Sequence, residues 1–101
     1  MNRGEVWWAG DVQARRPYLL LTRQVAIDVL HSVLAAPATR TVRGIPTEVQ
    51  LDASDGMPEA CALSLDNLTL LPREYLTERI CTLGPERMSA VCAAAREALD
   101  C

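Results

Sequence analysis

Lysine is absent: all ten basic residues of the 101-residue chain are arginine. Histidine occurs once, at His31, so acid-base catalysis by a histidine pair is excluded, and His31 itself reads as a surface or loop residue. The four cysteines, at 61, 81, 92 and 101, form no C-x-x-C pair, and with one histidine they carry no zinc signature. Neither G-x-x-x-x-G-K-[ST] nor G-x-G-x-x-G occurs, which removes the common nucleotide cradles. No charged segment leading into an apolar stretch opens the chain, and no apolar run approaches about 18 residues, so export and membrane spanning are not expected. The expectation is a cytoplasmic protein with reduced cysteines and neither metal nor cofactor. Repeats, linkers and low-complexity tracts are missing too, which predicts one domain over residues 1–101 and excludes an interdomain cleft.

What is present is globular in composition: 50% of residues are apolar and 23% charged. A core built from so short a chain is modest, and a second copy of the chain would extend it. Charge is uneven. Residues 1–43 hold six arginines against three acids, a balance of +3, whereas residues 44–101 hold four against ten, a balance of −6. The overall charge of −3 argues against coating nucleic acid by bulk attraction but leaves room for a local arginine patch. Arginine forks onto phosphate and stacks on bases, so an arginine-only basic set suits nucleic-acid recognition; GC-rich codon usage produces the same bias.

Glu5 to Ala9 is apolar and aromatic and stops at Gly10-Asp11, which predicts a first strand. Trp7 and Trp8 are neighbours in it and point to opposite faces, one toward the core and the other toward a base or a partner. Pro17 to Thr22 reads as a buried second strand opened by proline. Val33 to Thr39 reads as a third, with Pro37 expected at an edge or bulge. Thr47 to Leu51 alternates as a half-exposed fourth. Residues 52–59 form a loop. Short strands follow at Cys61 to Leu65 and Asn67 to Leu71, and a last one at Arg79 to Leu83. Five or six short strands suggest a small barrel. From Pro85 to Asp100 the period changes: Met88, Val91, Cys92, Ala95 and Leu99 share one face of a terminal helix, started by Gly84, Pro85 and Glu86. Cys92 is expected to pack and Cys101 to be exposed.

Arg15-Arg16-Pro17 stands at one strand entrance, and Thr39-Arg40-Thr41-Val42-Arg43-Gly44 follows another strand. If those ends meet, Arg16, Thr39, Arg40 and Arg43 make an anion site of phosphate size; on periodicity alone a solvated arginine cluster is the plainer reading.

The order R-G-E-V-W-W-A, R-R-P-Y-L-L-L-T-R, A-A-P-A-T-R-T-V-R-G-I-P-T-E-V and S-L-D-N-L-T-L-L-P resembles the MazF/PemK family of toxin endoribonucleases, over nearly the whole chain and most closely its compact actinobacterial members. The resemblance implies a mainly β fold with α (α+β), an SH3-like small barrel with a C-terminal helix. It implies a homodimer that cleaves single-stranded RNA without a metal, leaving a 2′,3′-cyclic phosphate and a 5′-OH, and that is held inactive by a MazE-like antitoxin. Carried over by position, it makes Arg16 and Thr39 catalytic, with Arg16 stabilising phosphate charge and Thr39 positioning a phosphate oxygen. Arg15, Arg23, Arg40, Thr41, Arg43 and Asn67 are expected along the RNA path, with Asp66-Asn67 equally suited to a turn.

Adjacent residues at a strand entrance alternate, so Arg16 is expected to face the groove and Arg15 to face away. Only seven residues, 9 to 15, separate Trp8 from Arg16, a short first loop for the family, so base preference does not carry over. Two other readings compete. The CcdB-type gyrase poisons share the barrel and do no chemistry, and an inert interaction module would fit the low pI. Neither needs the Arg16, Pro17 and Thr39 combination.

Overall fold

The computed structural model describes residues 1–10 and 14–101. Alternating side chains make the first strands as expected. In β1 (Glu5–Ala9), Val6 enters one core while Trp7 and Ala9 enter another on the opposite face. In β2 (Arg16–Leu20), Leu19 and Leu20 divide in the same way. β2 ends short of the expected Thr22 because the Thr22 hydroxyl oxygen accepts the Leu34 N–H at 2.7 Å, taking over from the strand ladder. A single turn of helix, α1 (Gln24–Ile27), follows and buries Ala26 and Ile27; the sequence reading missed it.

The central strand is β3 (Ser32–Thr39). It pairs with β2 on one side. On the other it pairs first with β6 (Thr69–Pro72), through Ser32 to Ala35, and then with β5 (Cys61–Ser64), through Ala38 and Thr39. Pro37 falls in the gap between those two partners, the irregular position that a residue without an N–H requires. The two strands around Asn67 therefore do not pair with each other. Each joins β3, and the 3-10 turn Leu65–Asn67 carries the chain between them. β4 (Glu48–Leu51) pairs with β5. β7 (Leu76–Thr82) starts three residues before the expected Arg79 and pairs with β1, with irregular register beside Trp7 and Trp8. The seven antiparallel strands run β4-β5-β3-β2-β1-β7, with β6 beside β3.

The helix α2 (Pro85–Leu99) begins at Gly84 with Pro85 in its first turn and ends at Asp100 in a left-handed cap. Its buried residues are Val91 and Ala94, flanked by half-buried Met88, Ala95 and Ala98. Leu99, assigned to the buried face from its spacing, is exposed, because the buried stripe drifts toward Ala94 and Ala98 at the last turn. The larger core lies between α2 and β1 to β5; the smaller holds Ala9, Leu20, Val33, Ala35 and Leu76 against Met1, Trp7, Tyr18 and Leu71. No helix of the described residues is long and apolar enough to cross a membrane.

A candidate RNA-cleavage cleft

Arg16 opens β2 opposite Ala9 of β1, and Pro17 lies opposite Trp8. β2 and β3 pair through Tyr18 and Pro37; the same register carried two residues on sets Arg16 against Thr39, the last residue of β3. Strand geometry therefore puts both side chains on one face at one end of the sheet. Two hollows flank them. The larger, about 480 Å³, is walled by Trp8, Arg15 and Arg40 and by Met57, Pro58 and Glu59 of the loop before β5. The smaller, about 140 Å³, is lined by Thr41, Arg43, Glu48, Ser64 and Asn67. Arg16 and Thr39 line both, so they form the ridge between them.

Of the expected residues, Arg15, Arg16, Thr39, Arg40, Thr41, Arg43 and Asn67 are thus brought together, and Arg23 is not. Arg23 precedes α1, beyond the far end of β2 from Arg16. Arg15 corrects the alternation argument. It lies in the larger hollow with Arg16, its guanidinium 4.5 Å from the centre of the Trp8 ring, because β2 starts only at Arg16 and the pleat does not govern the residue before it. Trp7 takes the core role, packed in the smaller core with its indole N–H on Glu5 Oε1 at 3.0 Å. His31 is exposed. Of the short first loop, residues 11–13 lie outside the described residues.

Six of the ten arginines fall into two groups. Arg73 donates to the Ile27 carbonyl, Arg79 pairs with the buried Glu5, and Arg87 pairs with Asp55 at 2.9 Å; these hold the fold. Among the described residues Arg16 and Arg43 have no side-chain partner, and Arg40 has only an exposed contact of 3.5 Å with Glu59, the kind worth little in water. Three guanidinium groups are thus available to an anion. Thr39 Oγ1 accepts the Thr41 N–H at 3.1 Å, which occupies one lone pair and leaves the hydroxyl proton free to donate outward. Asn67 sits on its 3-10 turn and lines the smaller hollow.

Cys61 forms part of the wall of the larger hollow, but burial pushes its thiol up, and the carboxylates of Asp55 and Glu59 add to the shift, so it stays protonated and unreactive. Among the described residues no three His, Cys, Asp or Glu side chains gather as a metal-holding group. The wall residues Met57, Pro58 and Glu59 were not anticipated, since they arrive from a loop remote in sequence from Arg16.

An antiparallel sheet with a C-terminal helix thus carries Arg16 and the strand-end Thr39 on the ridge of a divided cleft, a donor set suited to an anion. Residues 2–99 match the family model for the PemK-like, MazF-like toxin of type II toxin-antitoxin systems, and the chain belongs to that family. It is 41% identical over 101 residues to the "Probable endoribonuclease MazF5" of Mycobacterium tuberculosis, covering 98% of this chain and 93% of that protein. It is 36% identical to the "Probable endoribonuclease MazF2" of the same species over the full length of both. Among solved structures it superposes on the Mycobacterium tuberculosis toxin MazF-mt6 with a TM-score of 0.87 at 35% identity, covering 95% of this chain and 96% of that one. A mycobacterial endoribonuclease in complex with its cognate antitoxin gives 0.90 at 25% identity, covering 99% of this chain and 95% of that one. The barrel and terminal helix expected from the sequence are those of this family.

Proposed function

We propose that this MazF-like toxin cleaves single-stranded RNA at the ridge between the two hollows, by a route that needs no metal. The observation that carries the reading is that Arg16, without a side-chain partner among the described residues, lines both hollows together with Thr39. The 2′-OH of one ribose attacks the adjacent phosphorus and the bond to the 5′ oxygen breaks, leaving a 2′,3′-cyclic phosphate and a 5′-OH. Arg16 faces the charge that grows on the non-bridging oxygens, and the Thr39 hydroxyl donates to one of them and holds the phosphate in line. A guanidinium stays protonated at any working pH, so Arg16 acts as an electrostatic stabiliser before it acts as a proton carrier.

Arg15 and Arg40 on one side, and Thr41, Arg43 and Asn67 on the other, carry the flanking nucleotides. The Trp8 and Arg15 stack offers a flat cationic face to a base. The same electropositive path suits an acidic, extended antitoxin segment that blocks RNA, in keeping with the mycobacterial relative solved with its antitoxin. The gyrase-poison reading is not favoured, because the matched family is that of MazF-like toxins and the similar curated proteins are named probable endoribonucleases.

A homodimer is the assembly this reading expects. Leu34 and Leu70 are cross-strand partners on β3 and β6 and both are exposed; Val25 in α1 and Val29 just after it, 81% and 74% exposed, add further apolar surface. The Arg73 side chain, just after β6, donates to the Ile27 carbonyl and so ties α1 to β6, which carries Leu70 of this apolar surface. A second copy is its occupant, and Leu70→Glu is expected to yield monomers in sedimentation. In the cytoplasm the toxin would meet both its RNA and its antitoxin.

The test uses purified protein and mixed RNA in excess EDTA. Cleavage should persist and should stop when the neighbouring antitoxin gene product is added. Activity that vanishes with EDTA and returns with Mg²⁺ would refute the metal-free route.

A further inference from the structure

A carboxylate is out of place in a cleft that receives phosphate, yet Glu48 lines the smaller hollow beside Arg16 and Thr39. Its Oε1 accepts two backbone N–H groups, from Arg43 at 2.9 Å and Gly44 at 3.1 Å. Two bonds to one oxygen fix the orientation of the carboxylate and leave Oε2 without a partner among the described residues. The neighbouring amide is fixed too. Asn67 Nδ2 donates to Ser64 Oγ at 2.7 Å, which leaves one N–H and the carbonyl for a ligand.

An oxygen that only accepts, set next to a phosphate site, repels the RNA backbone and attracts the N–H groups of a base edge. The hollow, at about 140 Å³, has room for one base edge. We infer that Glu48 selects the base adjoining the scissile phosphate, its Oε2 accepting from an exocyclic amino group and disfavouring uracil. Cytosine, adenine and guanine each present such a donor. Uracil presents one ring N–H flanked by two carbonyl oxygens, which would face the carboxylate. The inference rests on the ribonuclease reading and adds the feature of RNA that the site chooses.

Glu48→Gln inverts the chemistry with little change of shape. The glutamine carbonyl retains the bonds to Arg43 and Gly44, and its NH₂ group stands where Oε2 stood, a donor in place of an acceptor. Cut sites in a randomised single-stranded RNA pool, mapped through their 5′-OH ends, should be depleted of uracil at one position beside the cut in the wild-type protein. The variant should raise uracil there by roughly ten- to hundredfold relative to the other bases. Identical base profiles for the two proteins would overturn the inference.

A second arm measures binding of oligonucleotides made uncleavable by 2′-deoxyribose at the cut, carrying cytosine or uracil beside it. It reads base choice whether or not either protein cuts, so failure of the nuclease reading and failure of this one remain distinct. A shift of relative affinity toward uracil in the variant supports the assignment even if turnover is lost. An unchanged affinity ratio with uniform loss of cleavage would overturn it and give Glu48 a part in proton removal instead.

Discussion

Replacing Arg16 with alanine removes an exposed guanidinium that makes no hydrogen bond or ion pair among the described residues, so the fold loses little: within about ±0.5 kcal/mol. The reaction loses much more. A guanidinium about 4 Å from a phosphate charge near a protein surface is worth about 4 kcal/mol, and losing one preorganised donor typically costs about 2.7–4 kcal/mol, or 10²–10³ in rate. Arg16→Ala should therefore slow single-turnover cleavage by about that factor with an unchanged melting temperature.

Arg15 provides the internal control. It shares the larger hollow, but its guanidinium already lies over Trp8, an exposed contact worth about 0.5–1 kcal/mol. Arg15→Ala should chiefly weaken RNA binding and lower its salt slope by about 1, with most turnover retained at saturating RNA. Thr39→Ala, which loses one hydroxyl donor and the acceptor for Thr41, should fall between the two. Single-turnover rates at several salt concentrations, with thermal melts, separate these effects. An inactive Arg15→Ala beside a near wild-type Arg16→Ala would refute the assignment of the ridge.

Three further outcomes follow from the packing. Gly56→Ala should destabilise by about 1–3 kcal/mol in chemical denaturation, because φ is +94° and an added Cβ would lie 2.8 Å from Cys81 Cβ. Burial alone would raise the Glu5 carboxyl, but hydrogen bonds from the Trp7 indole and the Asn2 amide, with the charges of the N-terminus and Arg79, hold it below the usual range. That stability is present above the unfolded value of about 4.3 and is lost as pH falls through the lower folded value, so the melting temperature of Glu5→Gln should depend less on pH below about 4.3 than the wild type's. Alkylation of the native protein at neutral pH should reach exposed Cys101 well before Cys61 and Cys81, whose thiols are pushed up mainly by burial; equal rates would contradict the packing around Met57.

The strands were legible where one face is buried, as in β1 and β4, because alternation records burial directly. The terminal helix was legible from its period and its Gly84-Pro85-Glu86 start. α1 was not, since four residues carry no helical period and no side chain caps them. Leu99 was misplaced because spacing alone does not fix where a buried stripe ends. In the site, Arg16 and Thr39 were reachable through the family resemblance, and strand register explains why they meet. The expectation that Arg15 faces away from the groove failed because it extended the pleat beyond the strand. Glu48 read as an ordinary half-exposed strand residue, because its meaning depends on the loop through Arg43 and Gly44 folding back onto it. The wall of Met57, Pro58 and Glu59 depends on a tertiary approach that no local pattern encodes.

The central claim, attack by the 2′-OH on a phosphate held by Arg16 and Thr39, is tested most directly by the ends of the RNA fragments. One labelled oligonucleotide, cut by the wild-type protein, should give a 5′-OH that polynucleotide kinase labels without prior phosphatase. The upstream fragment should carry a 2′,3′-cyclic phosphate, and an oligonucleotide with 2′-deoxyribose at the cut should remain whole. Fragments with a 5′-phosphate, or cleavage of the deoxyribose substrate, would contradict the account.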